Sequence, residues 1–110
     1  FPTKEQVPSY LIHHFIRGVF DGDGCIYISP KIKSNCKFAI AGLRTFLSDI
    51  QTELINNCQL NKTEISTKTE NNLHGSLSYC GRKQIQKIRE FLYKDATIYL
   101  QRKYDKLFSL

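Results

Sequence analysis

Two carboxylates close together in the chain are the first residues that could do chemistry. In "FIRGVFDGDGCIYIS", residues 15–29, Asp21 and Asp23 alternate with Gly22 and Gly24. Apolar residues at helical spacing precede the pair, and an alternating, strand-like pattern follows it. Acidic groups at a helix C-terminus cost roughly 0.3–1 kcal/mol each, because the macrodipole is negative there. A bound cation would account for both aspartates. An ordinary Asp-Gly turn is the other interpretation, and it stays open at this point.

A hard divalent cation fits the pair better than the other chemistries that use aspartates or glycines. Mg²⁺ binds one or two carboxylates together with carbonyl, water and phosphate oxygens. An EF-hand loop is excluded, because Cys25, Ile26 and Ile32 stand where that loop needs its ligands and its glycine. Glycosidase carboxylates flank a sugar, which two aspartates this close in sequence would do poorly. A phosphate loop is disfavoured, because these glycines are expected to end a helix and the carboxylates would repel phosphate.

The elements that position this pair follow from hydrophobic periodicity. The pattern predicts an α+β fold in the order α-β-β-α-β-β-α-α, with helices on one face of a four-stranded, mostly antiparallel sheet. The glycines at 22 and 24 are expected to end the first helix. The predicted helices span 9–20, 43–58, 82–94 and 96–110, with Ile98 and Leu107 facing inward in the last. The predicted strands span 25–33, 36–42, 62–69 and 73–81, with the second hairpin turning at 70–72.

The other face of this sheet is polar, basic and rich in small hydroxyls. A two-stranded ribbon of this kind fits the major groove of DNA and can carry side chains that read bases. Any sheet with one buried face also has a polar outer face, so the pattern alone leaves both interpretations open. The candidate DNA-binding residues are Tyr27, Ser29, Lys31, Lys33, Lys37, Ser66, Lys68, Ser76 and Ser78.

Composition limits the class of protein. The chain has 110 residues, 41% of them hydrophobic, and a net charge of +6, which suits one domain with an anionic partner such as nucleic acid. Residues 81–110 hold eight basic and three acidic residues, so they carry most of the excess charge. No signal peptide or membrane span is apparent, and we expect an intracellular protein. Four widely spaced cysteines without a C-x-x-C pair favour free thiols over zinc ligands.

A family resemblance adds to this pattern. The segment 16–24, Ile-Arg-Gly-Val-Phe-Asp-Gly-Asp-Gly, resembles the LAGLIDADG motif of homing endonucleases. It matches in the small Gly18 within the helix and in the Asp-x-Asp-Gly ending, while Arg17 replaces the usual small residue. The order of elements and the ending "LYKDATIYLQRKYDKL" also look like members of that family. The resemblance covers residues 1–110 as a single LAGLIDADG-type endonuclease domain, with a DNA-binding saddle on the outer face of the sheet.

The resemblance implies a homodimer around a metal. In that family two motif helices pack together, which would place Gly18, Phe15 and Val19 in the dimer interface. The motif carboxylates would then bind Mg²⁺, or another divalent cation, over DNA. Asp23 is the implied metal ligand and catalytic residue. The carbonyl of Gly22 and, with less support, Asp21 are further candidate ligands, Asp21 being better suited to a structural role at the helix end.

One motif copy implies two identical chains on a long, roughly palindromic DNA site. No second copy follows, because "AIAGL" at 39–43 lacks the Asp-x-Asp-Gly ending. The chain could instead be one half of a longer two-motif protein. The absence of methionine keeps that possibility open, since it suggests a processed product or an excised domain.

The resemblance also has implications for catalysis. Family members place a basic residue near the scissile phosphate, and Lys103 and Arg102 are the candidates here. Where a polar residue often ends the second strand, this chain has Ala41 and Gly42. The resemblance thus predicts a Mg²⁺-dependent, site-specific double-strand DNA endonuclease. A catalytically weak DNA- or RNA-binding module, acting in transcription or intron RNA folding, is the alternative. The histidines, His13, His14 and His74, are expected to pack or to face solvent.

Overall fold

The computed structural model describes residues 1–67 and 73–110. A short 3-10 helix, Ser9–Leu11, leads into the first helix. The elements then follow in the order α1 Ile12–Asp23, β1 Gly24–Ile28, β2 Cys36–Leu43, α2 Arg44–Cys58, β3 Ser66–Thr67, β4 His74–Cys80, α3 Arg82–Leu92 and α4 Gln101–Leu107. The α+β class and the order of elements are as predicted. None of the helices traced in the described residues has the length and apolar run that a membrane crossing requires.

The four strands form one open sheet in the order β1-β2-β4-β3, and every neighbouring pair is antiparallel. Both predicted hairpins are therefore present, although the turn predicted at 70–72 lies outside the described residues. Cross-strand pairing puts Gly24 opposite Ile40, so β1 begins near the middle of β2. Strand β2 runs past that level to Leu43, where α2 begins.

Helices and sheet enclose one hydrophobic core. The inner face of the sheet supplies Phe38, Ile40 and Leu77, all fully buried. Alternate residues on these strands point outward, as the period of two requires. The helices close the core with apolar stripes whose fully buried members are Ile16, Phe20, Leu47, Ile50, Leu54, Ile85, Ile88 and Leu92.

The first helix differs from its predicted extent. It begins at Ile12 and continues to Asp23, so Gly22 lies inside it. Gly24 caps it with φ −96°, which is outside the left-handed region, and donates its N–H to the carbonyl of Phe20. The helix is prolonged because a side chain from elsewhere in the chain, Lys103, binds its last carbonyls, a contact that local glycine content does not reveal.

The last helix is shorter than predicted. It spans Gln101–Leu107, whereas the prediction began at 96. Two side chains of α1 bind backbone groups of the preceding segment: Arg17 donates to the carbonyl of Ile98, and Asp21 accepts from the N–H of Leu100. These contacts hold the segment extended. The predicted inward position of Ile98 is wrong, since that side chain is 83% exposed, whereas Leu107 is buried as expected.

Two predicted strands are also shorter in the structure. Strand β1 ends at Ile28 instead of residue 33, because the Ser29 hydroxyl accepts the N–H groups of Lys31 and Ile32 and forms a local turn. Pro30 cannot donate to a ladder and reinforces the stop. Strand β3 is limited to Ser66–Thr67 within the described residues.

Candidate metal and nucleic-acid site

Asp23 ends α1 and is exposed. The strand β1 starts at the next residue, so the helix passes into the sheet without a linker. This joint needs Gly24: a Cβ there would lie against the Phe20 ring and 2.7 Å from the Phe20 carbonyl oxygen. The side chain of Asp23 is therefore held where the helix end meets the edge of the sheet.

Lys103 anchors that helix end. Its ammonium donates to the carbonyls of Gly24 at 2.6 Å, Phe20 at 2.8 Å and Asp21 at 2.9 Å. All three ammonium protons have an acceptor, and Lys103 is only 9% exposed. Burial lowers the pKa of Lys103, as does neighbouring Arg102, while the negative charges of Asp21 and Asp23 oppose the shift. The Lys103 ammonium therefore supplies part of the positive charge that the sequence analysis expects at this helix end.

Asp21 has a different environment from Asp23. Its Oδ2 accepts the N–H of Leu100 at 3.1 Å, which ties α1 to the segment before α4. Its Oδ1 is buried and has no hydrogen-bond partner among the described residues. The contact with Leu100 agrees with a structural role for Asp21, and the predicted contact of Asp21 with a metal stays a prediction.

A cleft of about 390 Å³ opens beside this helix end. Gly22, Gly24 and Cys25 form one side of it. The other side comes from α4, whose exposed Arg102 and Lys106 stand beside the buried Lys103. Sequence reasoning did not single out Lys106. The spacing of Arg102 and Lys106, four residues apart, places them on one face of a helix and could have identified it.

The donor set suits an open metal site and not a closed one. In the described residues, no group of three or more His, Cys, Asp or Glu side chains could enclose a metal ion. Mg²⁺ needs only one or two carboxylates and completes its coordination with water and phosphate. The exposed Asp23 fits this requirement, whereas the unpaired oxygen of Asp21 is buried. The carbonyls of Phe20, Asp21 and Gly24 are already bonded to Lys103.

The outer face of the sheet is built from rows of directly opposed residues, as the register shows, and all of them except the buried Ala39 are at least partly exposed. The rows nearest the cleft consist of residues with small side chains. Farther out, Tyr27, which is 52% exposed, stands opposite the exposed Lys37. The three rows are Ala41–Ser76–Ser66, Cys25–Ala39–Ser78 and Tyr27–Lys37–Cys80.

The remaining candidate DNA-binding residues lie around this face. Ser29, Lys31 and Lys33 belong to the loop between β1 and β2, with both lysines exposed. Ser66 is exposed on β3. Lys68 lies outside the described residues. The structure thus brings Tyr27, Lys37, Ser66, Ser76 and Ser78 onto one surface, with the lysine loop at its margin.

Helix α1 also has a face that the described residues leave open. Gly18 and Gly22 are exposed one turn apart, and a Cβ on either would meet no described atom within 4 Å. Val19 is half-buried beside them. Phe15 packs edge-on against Phe1 and Phe46, with ring centroids 5.6 Å and 6.2 Å away.

Arg17, which departs from the motif, faces the other way. Its guanidinium donates to the carbonyls of Leu92 at 2.7 Å and Ile98 at 3.2 Å and contacts Nδ1 of His14 at 2.8 Å. It joins α1 to the end of α3 and is not on the open face. His13 is buried, with Nε2 bonded to the Lys94 carbonyl, and His74 is exposed, so the histidines pack or face solvent as predicted.

The fold is that of the LAGLIDADG homing endonucleases. One similar structure is the homing endonuclease I-CvuI in complex with the I-CreI target and Mg²⁺, at 20% identity and a TM-score of 0.60, covering 91% of this chain and 63% of that one. Another is the group I intron-encoded homing endonuclease I-CeuI complexed with DNA, at 13% identity and a TM-score of 0.63, covering 98% and 54%. A third is the homing endonuclease I-TnaI, at 15% identity and a TM-score of 0.56, covering 88% and 69%.

The similarity is structural. No family model and no curated protein matches the sequence. The chain spans a little under two thirds of the I-CvuI chain and about half of the I-CeuI chain.

Proposed function

We propose that this chain is a divalent-cation-dependent DNA endonuclease that cuts both strands as a homodimer. The observation that carries the proposal is the position of Asp23, exposed at a helix end that joins a polar sheet face bordered by the exposed Lys31, Lys33 and Lys37. A carboxylate beside such a surface supports the binding of a cation together with duplex DNA. The DNA complexes of I-CvuI and I-CeuI, which share the fold, support the same assignment.

Each residue of the site has a distinct task in this proposal. Asp23 would hold the cation, with the Gly22 carbonyl and the predicted ligand Asp21 as further candidates. Bound Mg²⁺ supplies charge stabilisation at the phosphate and a water of lowered pKa. Exposed Arg102 and Lys106 bind the phosphate flanking the cleft. Lys103, whose ammonium is fully hydrogen-bonded, acts by holding the helix end. Its predicted catalytic role stays a prediction, and positioning is the role its contacts favour.

The open face of α1 supplies the partner surface. Two exposed glycines one turn apart let a second helix approach closely, and Phe15 and Val19 border them. A second copy would bring a second Asp23 to the first, as cleavage of two strands requires. Two-fold symmetry would then make the target roughly palindromic. A longer chain carrying two such domains would satisfy the same geometry.

Cleavage of a randomised DNA library in Mg²⁺ tests this function directly. The wild-type chain should enrich a cut sequence, which is then placed in a plasmid. Asp23→Asn should lower cleavage at least about a hundredfold, because metal stabilisation of the phosphate is worth several kcal/mol. It should keep or increase duplex affinity, because a negative charge near phosphate is removed. Asp49→Asn, an exposed aspartate on α2, is the matched control and should cut like wild type. Full activity in Asp23→Asn would refute the assignment.

A binding module without cleavage is the second candidate. The observation that favours it is that Ala41 and Gly42, near the end of β2 beside the helix joint, carry no polar side-chain group, while the Lys103 ammonium is already hydrogen-bonded within the chain. Selective binding of a recovered sequence with no cutting in Mg²⁺ or Mn²⁺ would support this function and exclude the nuclease.

A further inference from the structure

The loop between β1 and β2, residues 29–35, presents an apolar side chain that the DNA surface described above does not use. Ile32 lies in this loop and is 61% exposed. Single apolar residues are common on protein surfaces and need no explanation by themselves. Ile32 differs from them in the charge of its neighbours, in the hydrogen bonding of its backbone and in its place beside the sheet.

Ile32 lies between two cations. Lys31 and Lys33 flank it and are exposed, and the exposed Lys37 follows on β2. Residues 24–43 contain these three lysines and no aspartate or glutamate. An apolar side chain in a segment with only positive charge suits a partner that is anionic at its edges and apolar at the contact. Duplex DNA is such a partner, because its phosphates border a major groove in which thymine presents a C5-methyl group.

Hydrogen bonds fix the backbone on both sides of Ile32. Its N–H donates to the Ser29 hydroxyl at 3.3 Å, and its carbonyl accepts the N–H of Asn35 at 2.9 Å. The N–H of Ser29 donates to the Asn35 carbonyl at 2.9 Å and closes the base of the loop. The side chain of Ile32 is therefore presented on an ordered backbone, which lowers the entropy that is lost when a partner binds.

The loop continues the outer face of the sheet away from the cleft. The row Tyr27–Lys37–Cys80 is the outermost of that face, and one further pair of β1 and β2 residues separates it from the loop. A strand rises about 3.3 Å per residue, so β1 is about 13 Å long from Gly24 to Ile28. DNA rises about 3.4 Å per base pair. A duplex lying along the outer face would therefore reach the loop about four base pairs or more from the cleft.

We propose that Ile32 recognises the outer part of the DNA target by packing against the C5-methyl group of a thymine, while Lys31 and Lys33 bind the flanking phosphates. Thymine alone presents this methyl group in the major groove, so the contact distinguishes its base pair from the others. It gives one position of the target a base preference without a polar side chain. The inference rests on the proposed binding of duplex DNA to the outer face of the sheet and does not depend on cutting.

A comparison of thymine with deoxyuridine, which lacks the methyl group, tests the contact. Duplexes are first selected from a randomised library by binding in EDTA, and the wild-type chain should enrich a thymine about four base pairs or more from the centre of the site. Deoxyuridine at that position should weaken wild-type binding about fourfold, the factor expected for one buried methyl group. Ile32→Ala should bind the thymine and deoxyuridine duplexes equally.

Lys31→Gln and Ile98→Ala separate this contact from general affinity. Lys31→Gln removes a phosphate contact, so it should weaken both duplexes equally, reduce the slope of log affinity against log salt by about 0.9 and keep the fourfold difference. Ile98→Ala shortens an isoleucine that is 83% exposed on the segment before α4. It should keep both the wild-type affinity and the fourfold difference. Circular dichroism verifies that each variant folds.

Three results would overturn the role of Ile32 while leaving the proposed function standing. They are selective duplex binding with no thymine enriched in the outer part of the site, equal wild-type binding of the thymine and deoxyuridine duplexes, and a fourfold difference that persists in Ile32→Ala. A wild-type chain that binds no duplex would contradict the proposed function and the inference together. The expected fourfold difference in a chain that never cuts would support the inference and contradict the nuclease.

Discussion

Gly22 and Gly24 have opposite surroundings although one residue separates them. A Cβ at Gly22 would enter open space, whereas a Cβ at Gly24 would collide with the ring and the carbonyl of Phe20. The Phe20 ring is fixed in turn by stacking on Phe38 at 4.7 Å. Gly24 is therefore required by the monomer fold, while Gly22 is available for contact with another molecule.

Substituting each glycine by alanine should separate these roles. Gly24→Ala should lower the free energy of unfolding by about 1–3 kcal/mol, because the methyl overpacks a fixed ring. Gly22→Ala should leave it unchanged or raise it by up to about 1 kcal/mol, since alanine is the better helix former. Urea denaturation of both variants measures the difference. Equal stability of the two would contradict the packing described at Gly24.

His13 should make stability depend on pH. Burial lowers its pKa from 6.5, aided by His14, so the folded state favours neutral imidazole while the unfolded chain takes up a proton normally. The contribution of neutral His13 to the free energy of unfolding is fully present above pH 6.5 and is lost as the pH falls toward the pKa of His13 in the folded state. The free energy of unfolding should thus fall between about pH 7 and 5, by at most about 1.4 kcal/mol per pH unit for this one proton.

Two variants test whether protonation of His13 causes this pH dependence. His13→Gln should show a shallower pH dependence of the urea midpoint than wild type. The exposed His74→Gln should keep the wild-type dependence. An unchanged slope in His13→Gln would assign the effect to another group.

At the scale of elements, α4 stabilises the end of α1 through one side chain. Lys103→Met removes the donor to the carbonyls of Asp21 and Gly24, whereas the Phe20 carbonyl keeps the N–H of Gly24. The free energy of unfolding should fall by more than about 2 kcal/mol, because buried unsatisfied polar groups cost about 1–3 kcal/mol each. Thermal or urea unfolding measures the loss. Arg102→Met, on the exposed side of α4, should change it by less than about 0.5 kcal/mol, and a similar loss in both variants would contradict this role for Lys103.

The sequence predicts features that depend on neighbouring residues, and it does not predict features that depend on these long-range contacts. Periodicity gave the order of elements, the two hairpins and the buried stripe of α1 at Ile16 and Phe20, because each depends on neighbours in sequence. The extents of α1 and α4 were wrong because Lys103 and Arg17 bond backbone groups about 80 residues distant. Aspartates at a helix end signalled a site, but nothing local indicated that Lys103 already binds its carbonyls.

For the whole molecule, the open face of α1 predicts self-association. Gly18→Leu fills the space where a second helix would approach and should convert a dimer into a monomer in sedimentation equilibrium. The monomer itself should fold, since a Cβ at that position meets none of the described atoms within 4 Å. Asn56→Leu, an equally exposed change on α2, is the control and should still dimerise. A dimer in Gly18→Leu would locate the interface elsewhere.

The hydrogen bonds between Lys103 and the end of α1 can form only after Lys103 has been synthesised. A span of 83 residues separates Lys103 from its acceptor at Phe20. At about 5–20 residues per second, a ribosome makes Asp23 roughly 4–16 s before the lysine that anchors its helix. The nascent chain therefore carries the aspartates on an unanchored helix until Lys103 has been made, and a nuclease of this design would become competent to cut only after translation has passed α4.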